Sequence, residues 1–194
     1  MNVGLVIISD RGDQYLPGCL ASLAEFVEHP FSFRTIVDDR EHRLGMAGAV
    51  REGWSRALDA GCDFVFHVEE DFQFTEPVDV EPLWSACPPA HPLAQVVLKR
   101  QSWSPEERSA GGIVELHPDD YHEHEGYTFH QRIFSLNPCI VSRAVMELGW
   151  PDGNEAEMTR KLTDLGYWFA FHGNKFDPPR VLHVGAERSQ GWRL

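Results

Sequence analysis

The 194 residues carry 30 Asp and Glu against 17 Lys and Arg, a formal net charge of −13, and are 42% apolar and 11% aromatic. That size and apolar content are those of one folded domain with a real core, and they exclude a disordered tail. The acidity argues against duplex nucleic acid or an anionic membrane surface as partners, and no apolar run approaches the roughly 20 residues of a membrane span. The opening "MNVGLVIISDRGD" has no basic segment ahead of its apolar run, so it reads as a buried strand and a cytoplasmic location is expected.

That first strand is Val3–Ser9. Residues 16–27 have apolar side chains at helical spacing, 31–39 read as a second strand ending in Asp38-Asp39, and 46–61 read as a helix closed by Gly61. A third strand, Cys62–Val68, runs into Glu69-Glu70-Asp71. Alternating strands and helices signal a parallel α/β sheet. Beyond it, 94–100 read as a strand, 101–128 as polar loop or hairpin, and 129–142 as one extended segment. A short helix follows, then an amphipathic helix over 154–166 with Met158, Leu162 and Leu165 on one face, then two late strands. Cys19, Cys62, Cys87 and Cys139 are scattered without a CxxC pair and read as buried free thiols.

Three strands therefore end at Ser9-Asp10, Asp38-Asp39 and Glu69-Glu70-Asp71. In open parallel sheets ligands bind beyond the carboxyl ends of the strands. Acids gathered there repel one another unless a cation sits among them.

This order of elements and its motifs resemble a GT-A fold glycosyltransferase of the family-2-like kind, at the small size of bacterial or phage members. The resemblance implies one α/β domain over 1–194, with a Rossmann-like, mostly parallel central sheet flanked by helices. Residues 1–75 would be the nucleotide-sugar-binding half and 94–194 the acceptor-binding and catalytic-base half. The donor implied is a nucleotide diphosphate sugar, either a UDP- or a GDP-sugar, and the cofactor Mn2+ or Mg2+. Ser9, Asp10, Arg11, Asp38 and Asp39 look like nucleotide contacts, as does Arg51 in "HRLGMAGAVREGW". "VFHVEEDF" resembles the DxD-type motif with Glu in its first place: Glu69 and Glu70 toward the donor, Asp71 on the metal. His183, in "RVLHVG", is similar to the late histidine that supplies a further metal ligand. Arg188, with Ser189 and Trp192, resembles a flap over the diphosphate, and Asn137 falls in the segment near the donor sugar.

Inverting members carry a Glu-Asp pair twelve residues before a Gly that precedes a strand. Counting back from Gly166 gives Asn154-Glu155, so Glu155 takes the place of the general base and Asn stands for the first acid. A base there removes the acceptor hydroxyl's proton as it attacks. Plainer readings stand beside these: a solvated turn for Glu69–Asp71, an Asn154/Glu157 capping box, a structural His183 and an Asn137-Pro138 turn.

The segment "HPDDYHEHEGYTFH" (117–130) holds four histidines and four acids, yet matches no zinc spacing. It reads as an acceptor-facing or solvated loop. Two other functions compete with glycosyl transfer to an unknown acceptor: a nucleotide-sugar-binding module without turnover, and a metallohydrolase using His122 and His124.

Overall fold

The computed structural model describes residues 1–85 and 92–185. Cys87, Arg188, Ser189 and Trp192 lie outside the described residues. In chain order the first half holds β1 (Val3–Ser9), α1 (Gly12–Phe26), β2 (Phe33–Asp38), α2 (Asp39–His42), α3 (Gly45–Asp59), β3 (Phe64–Glu69), β4 (Phe72–Phe74) and α4 (Pro82–Ser85). The second holds β5 (Leu93–Leu98), α5 (Pro105–Ala110), α6 (Ile113–Leu116), a 3-10 turn at Pro118–Asp120, β6 (His122–His124) and β7 (Tyr127–His130). It closes with β8 (Cys139–Ser142), α7 (Arg143–Leu148), α8 (Glu155–Asp164), β9 (Trp168–His172) and β10 (Val181–His183).

Eight strands form one sheet in the order β2-β1-β3-β8-β5-β9-β7-β6, and β4 pairs with β10 in a second sheet of two. Strands β2, β1, β3, β5 and β9 are parallel, while β8 and β7 run against them. Apolar and β-branched, β1 is buried at every position, as a central parallel strand covered on both faces must be. Its Val6 and Ile8 join one core with α3, α7 and α8 (Trp54, Val145, Met158), and Leu5 and Ile7 join the other with α1, β4 and β10 (Leu23, Phe72, Val181). Gly53 lets α3 close onto β1, since a Cβ there would lie 2.5 Å from Val6 Cγ1.

Three expectations are corrected. The 101–128 stretch holds the start of the β6–β7 hairpin but also helices: α5 starts where the Ser104 hydroxyl accepts from Glu107 N–H (3.1 Å), with Pro105 in the first turn. Residues 129–142 are not one extended segment. They split between β7 and β8, which are separated in the sheet by β5 and β9. The Gln95 side-chain amide clasps Ser135 in between, accepting from its N–H (2.8 Å) and donating to its carbonyl (2.7 Å). Leu165, expected on the buried face of α8, sits at its C-cap and is 55% exposed.

Candidate active site

The carboxyl ends of β1, β2 and β3 stand side by side, Ser9 in register with Asp38 and Ile8 with Glu69. The turn from β3 to β4 carries Glu70 and Asp71, both buried. Glu70 N–H donates to Ile8 O (3.0 Å), curling the turn over β1. The Glu70 carboxylate accepts from the Ser9 hydroxyl, from Asp10 N–H (3.0 Å) and from Arg11 N–H (2.5 Å). It thus fixes the loop between β1 and α1. Burial raises its pKa against the pull of those donors.

Held by its own N–H, Arg11 turns its guanidinium into three carboxylates. Its Nε is 3.1 Å from Asp10 Oδ1 and 3.7 Å from Glu70 Oε1, and its Nη2 is 2.5 Å from Asp71 Oδ2. The antiparallel pairing of β4 with β10 sets His183 opposite Phe72. That pairing brings His183 Nε2 to 3.1 Å from the same Asp71 Oδ2. Val184 N–H then donates to Asp71 O (2.8 Å). The next residue has no room for a side chain: a Cβ on Gly185 would lie 2.1 Å from Asp71 Oδ2. Burial alone would raise the Asp71 pKa, but His183 and Arg11 outweigh it and hold the carboxyl below its ordinary range.

The His183 ring lies between Phe72 (centroids 4.7 Å apart) and Trp103 (4.1 Å). The Gln101 amide donates to His183 O and accepts from His183 N–H, both at 2.9 Å. Trp103 is held in turn by Glu107, which accepts from its N–H (2.7 Å) and from both Arg100 Nη atoms (2.9 and 3.0 Å). Sequence reasoning missed Gln101, Trp103, Glu107 and Gly185. The available signal was a Trp alone in a polar stretch, just ahead of a Ser-Pro-Glu-Glu helix start.

The other candidate residues lie around this cluster. Asp38 accepts from Arg40 Nε (2.9 Å) and Nη2 (2.6 Å), and Arg40 also reaches Asp13 (3.0 Å). Asp39 accepts from Leu44 N–H (2.5 Å) and Gly45 N–H (3.0 Å), at the start of α3. Arg51, exposed on α3, pairs with Asp152 at 2.7 Å. Glu155 Oε1 accepts from Leu136 N–H (2.6 Å), and Asn137 N–H donates to Ser135 Oγ (3.2 Å). Burial pushes the Cys139 thiol up to about 12. Asn154 caps α8 by accepting from Ala156 N–H (3.0 Å). His122 and His124 stand exposed on the edge strand β6. Among the described residues no three His, Cys, Asp or Glu side chains converge as a metal cluster; Asp71 and His183 are a pair.

The architecture is the GT-A fold, a mixed α/β structure on a large, mostly parallel sheet. No protein-family model matches the chain, and no curated protein matches it by sequence. Among solved structures it is similar to GalNAc-T7, crystallised with UDP, GalNAc and Mn2+, at 14% identity and a TM-score of 0.57, covering 100% of this chain and 45% of that one. It is also similar to residues 1–349 of S. aureus TarS in complex with UDP, at 13% identity and a TM-score of 0.56, covering 94% and 60%. The chain thus spans about half the length of the structures it matches. None of the described helices is long and apolar enough to cross a membrane.

Proposed function

We propose that this protein is a metal-dependent glycosyltransferase, which moves a sugar from a UDP- or GDP-sugar to an acceptor hydroxyl with inversion at the anomeric carbon. The observation that carries the reading is Asp71 and His183 meeting beside Arg11 at the carboxyl edge of a GT-A sheet. Asp71 Oδ2 and His183 Nε2, 3.1 Å apart, are the two side-chain atoms that would hold the ion. A carboxylate–imidazole pair suits Mn2+ better than Mg2+, and such ions take their remaining ligands from phosphates and water. Bound there, the ion would neutralise charge growing on the departing diphosphate. The Mn2+ and UDP of the GalNAc-T7 structure and the UDP of the TarS structure support this donor chemistry.

Arg11 supplies a further positive charge to the diphosphate. Ser9, Asp10, Glu70, Asp38 and Asp39 build the donor edge, with Glu69 and Asn137 toward the sugar and Arg51 and Arg188 completing the donor set. Glu155, oriented by Leu136 N–H, takes the acceptor's proton as the acceptor oxygen bonds to the anomeric carbon and the carbon–diphosphate oxygen bond breaks. One observation favours a second reading, a binding module without turnover: Asn154 stands where inverting members have an acid, and it is used as a helix cap.

Thermal unfolding with UDP, GDP and their sugars, with and without Mn2+, tests the first step. A ligand at a hundredfold excess over Kd adds about 2.7 kcal/mol of stability. The expected outcome is a Mn2+-dependent shift with one nucleotide, lost in Asp71→Asn. Glu155→Gln is expected to keep that shift and to lose donor turnover by about a hundredfold or more. A wild-type protein that binds donor without releasing nucleoside diphosphate in any acceptor screen would favour the binding module.

A further inference from the structure

We propose that Arg11 couples the metal to the diphosphate: it competes with the ion for Asp71 while the nucleotide is absent, and bridges to the phosphates once both are present. This rests on the reading of Asp71 and His183 as metal ligands.

One oxygen carries the argument. Asp71 Oδ2 takes Arg11 Nη2 at 2.5 Å and faces His183 Nε2 at 3.1 Å. A divalent ion using that oxygen would have to contend with a guanidinium whose side chain is only 18% exposed, where little water screens their repulsion. The guanidinium does not leave easily on its own. Its backbone is pinned by Arg11 N–H to Glu70, and its Nε is bonded to Asp10. A diphosphate changes the balance, because its oxygens accept from the guanidinium and ligate the ion together. The two cations then share an anion instead of contending for one carboxylate oxygen. The pinned backbone keeps Arg11 at the site, so its charge can turn from Asp71 toward the phosphates without the loop moving.

Linkage makes this measurable, since metal and nucleotide must strengthen each other by one common factor. Mn2+ binding is read by electron paramagnetic resonance of the free ion, with and without saturating UDP. In the wild type, UDP is expected to tighten Mn2+ at least about tenfold. In Arg11→Gln, Mn2+ alone is expected to bind several-fold tighter than in the wild type, and the gain from UDP should shrink. Arg11→Lys, which keeps the charge, should stay closer to the wild type. Unchanged or weaker Mn2+ binding by Arg11→Gln without UDP overturns the coupling role. Wild-type protein that binds no Mn2+ with or without UDP, or Asp71→Asn that binds it equally well, overturns the metal site itself and the coupling with it. Should Arg11→Gln fail to fold, guanidinium NMR of the wild type decides. The Arg11 signal should move on adding UDP with Mg2+ together, and a signal that stays put counts against the proposal.

Discussion

Asp71 is held through both its backbone and its side chain. Its carbonyl takes Val184 N–H, and its carboxylate takes Arg11 and meets His183. The Gly185 backbone passes close beside the carboxylate and leaves no space for a methyl group. Gly185→Ala would set its Cβ 2.1 Å from Oδ2 and 3.0 Å from the Asp71 Cβ, so the carboxylate or the chain after β10 must shift. The expected cost is about 1–3 kcal/mol of stability, with weaker Mn2+-dependent UDP binding. Calorimetric titration checks it, and unchanged affinity would mean that the carboxylate's placement is not critical. Glu70 illustrates how far a motif can be read. Its position among three acids was plain in the sequence. That its oxygens would serve the Ser9–Arg11 backbone was not, because that depends on the turn folding back over β1.

Among the elements, the long strands were legible because β-branched runs buried on both faces leave a strong pattern, as in β1 and β3. The pairs that assemble the site were not. β10 was expected as a late strand, but β4, with three residues, was too short for any periodicity, and the pairing of the two, which carries His183 to Asp71, leaves no local signal. α5 was hidden by its polarity, although Ser104, Pro105 and Glu107 are a good helix start. This short helix supports the site through Glu107, whose buried carboxylate binds Arg100 and Trp103 N–H and sits below its ordinary pKa, hydrogen bonds from those partners outweighing burial. Glu107→Ala leaves the Arg100 guanidinium without that partner. It should cost about 3 kcal/mol in urea unfolding and, by loosening Trp103 from the His183 ring, weaken Mn2+ binding. A loss of stability with full Mn2+ affinity would separate α5 from the site.

Across the whole molecule, histidines are buried in places that cannot accept charge. Burial lowers His67 to about 3 and His130 to about 3, with Arg132 adding to the effect at His130. Unfolded, each takes a proton near pH 6.5. Their folded pKa values are depressed, so their contribution is full above pH 6.5 and is lost as pH falls from there toward 3. At pH 5 each costs about 2 kcal/mol, and His172, also lowered by burial, acts in the same direction. Glu70, raised by burial, works the opposite way. Urea midpoints should fall clearly between pH 7 and pH 5, and His67→Leu should remove about 2 kcal/mol of that difference. An equal slope in the variant would mean that His67 is not charged on unfolding in this range.

The pairing of β4 with β10 joins residues 112 positions apart at Asp71 and His183. A two-stranded ribbon of three residues each is marginal by itself, so this one depends on the packing of its buried Phe72, Phe74 and Val181, and the chain just past it is held by less. Occupying both sides of the Asp71–His183 junction would act as a clasp on the closing strand. Backbone amide exchange at Val184, whose N–H rests on Asp71 O, should be fast in the empty protein and slow markedly with UDP and Mn2+. Exchange that ignores the ligands would mean the ribbon stays shut unaided. On the first outcome, donor and metal complete the fold at this edge, and the end of the last strand is fastened by the ligands it helps to bind.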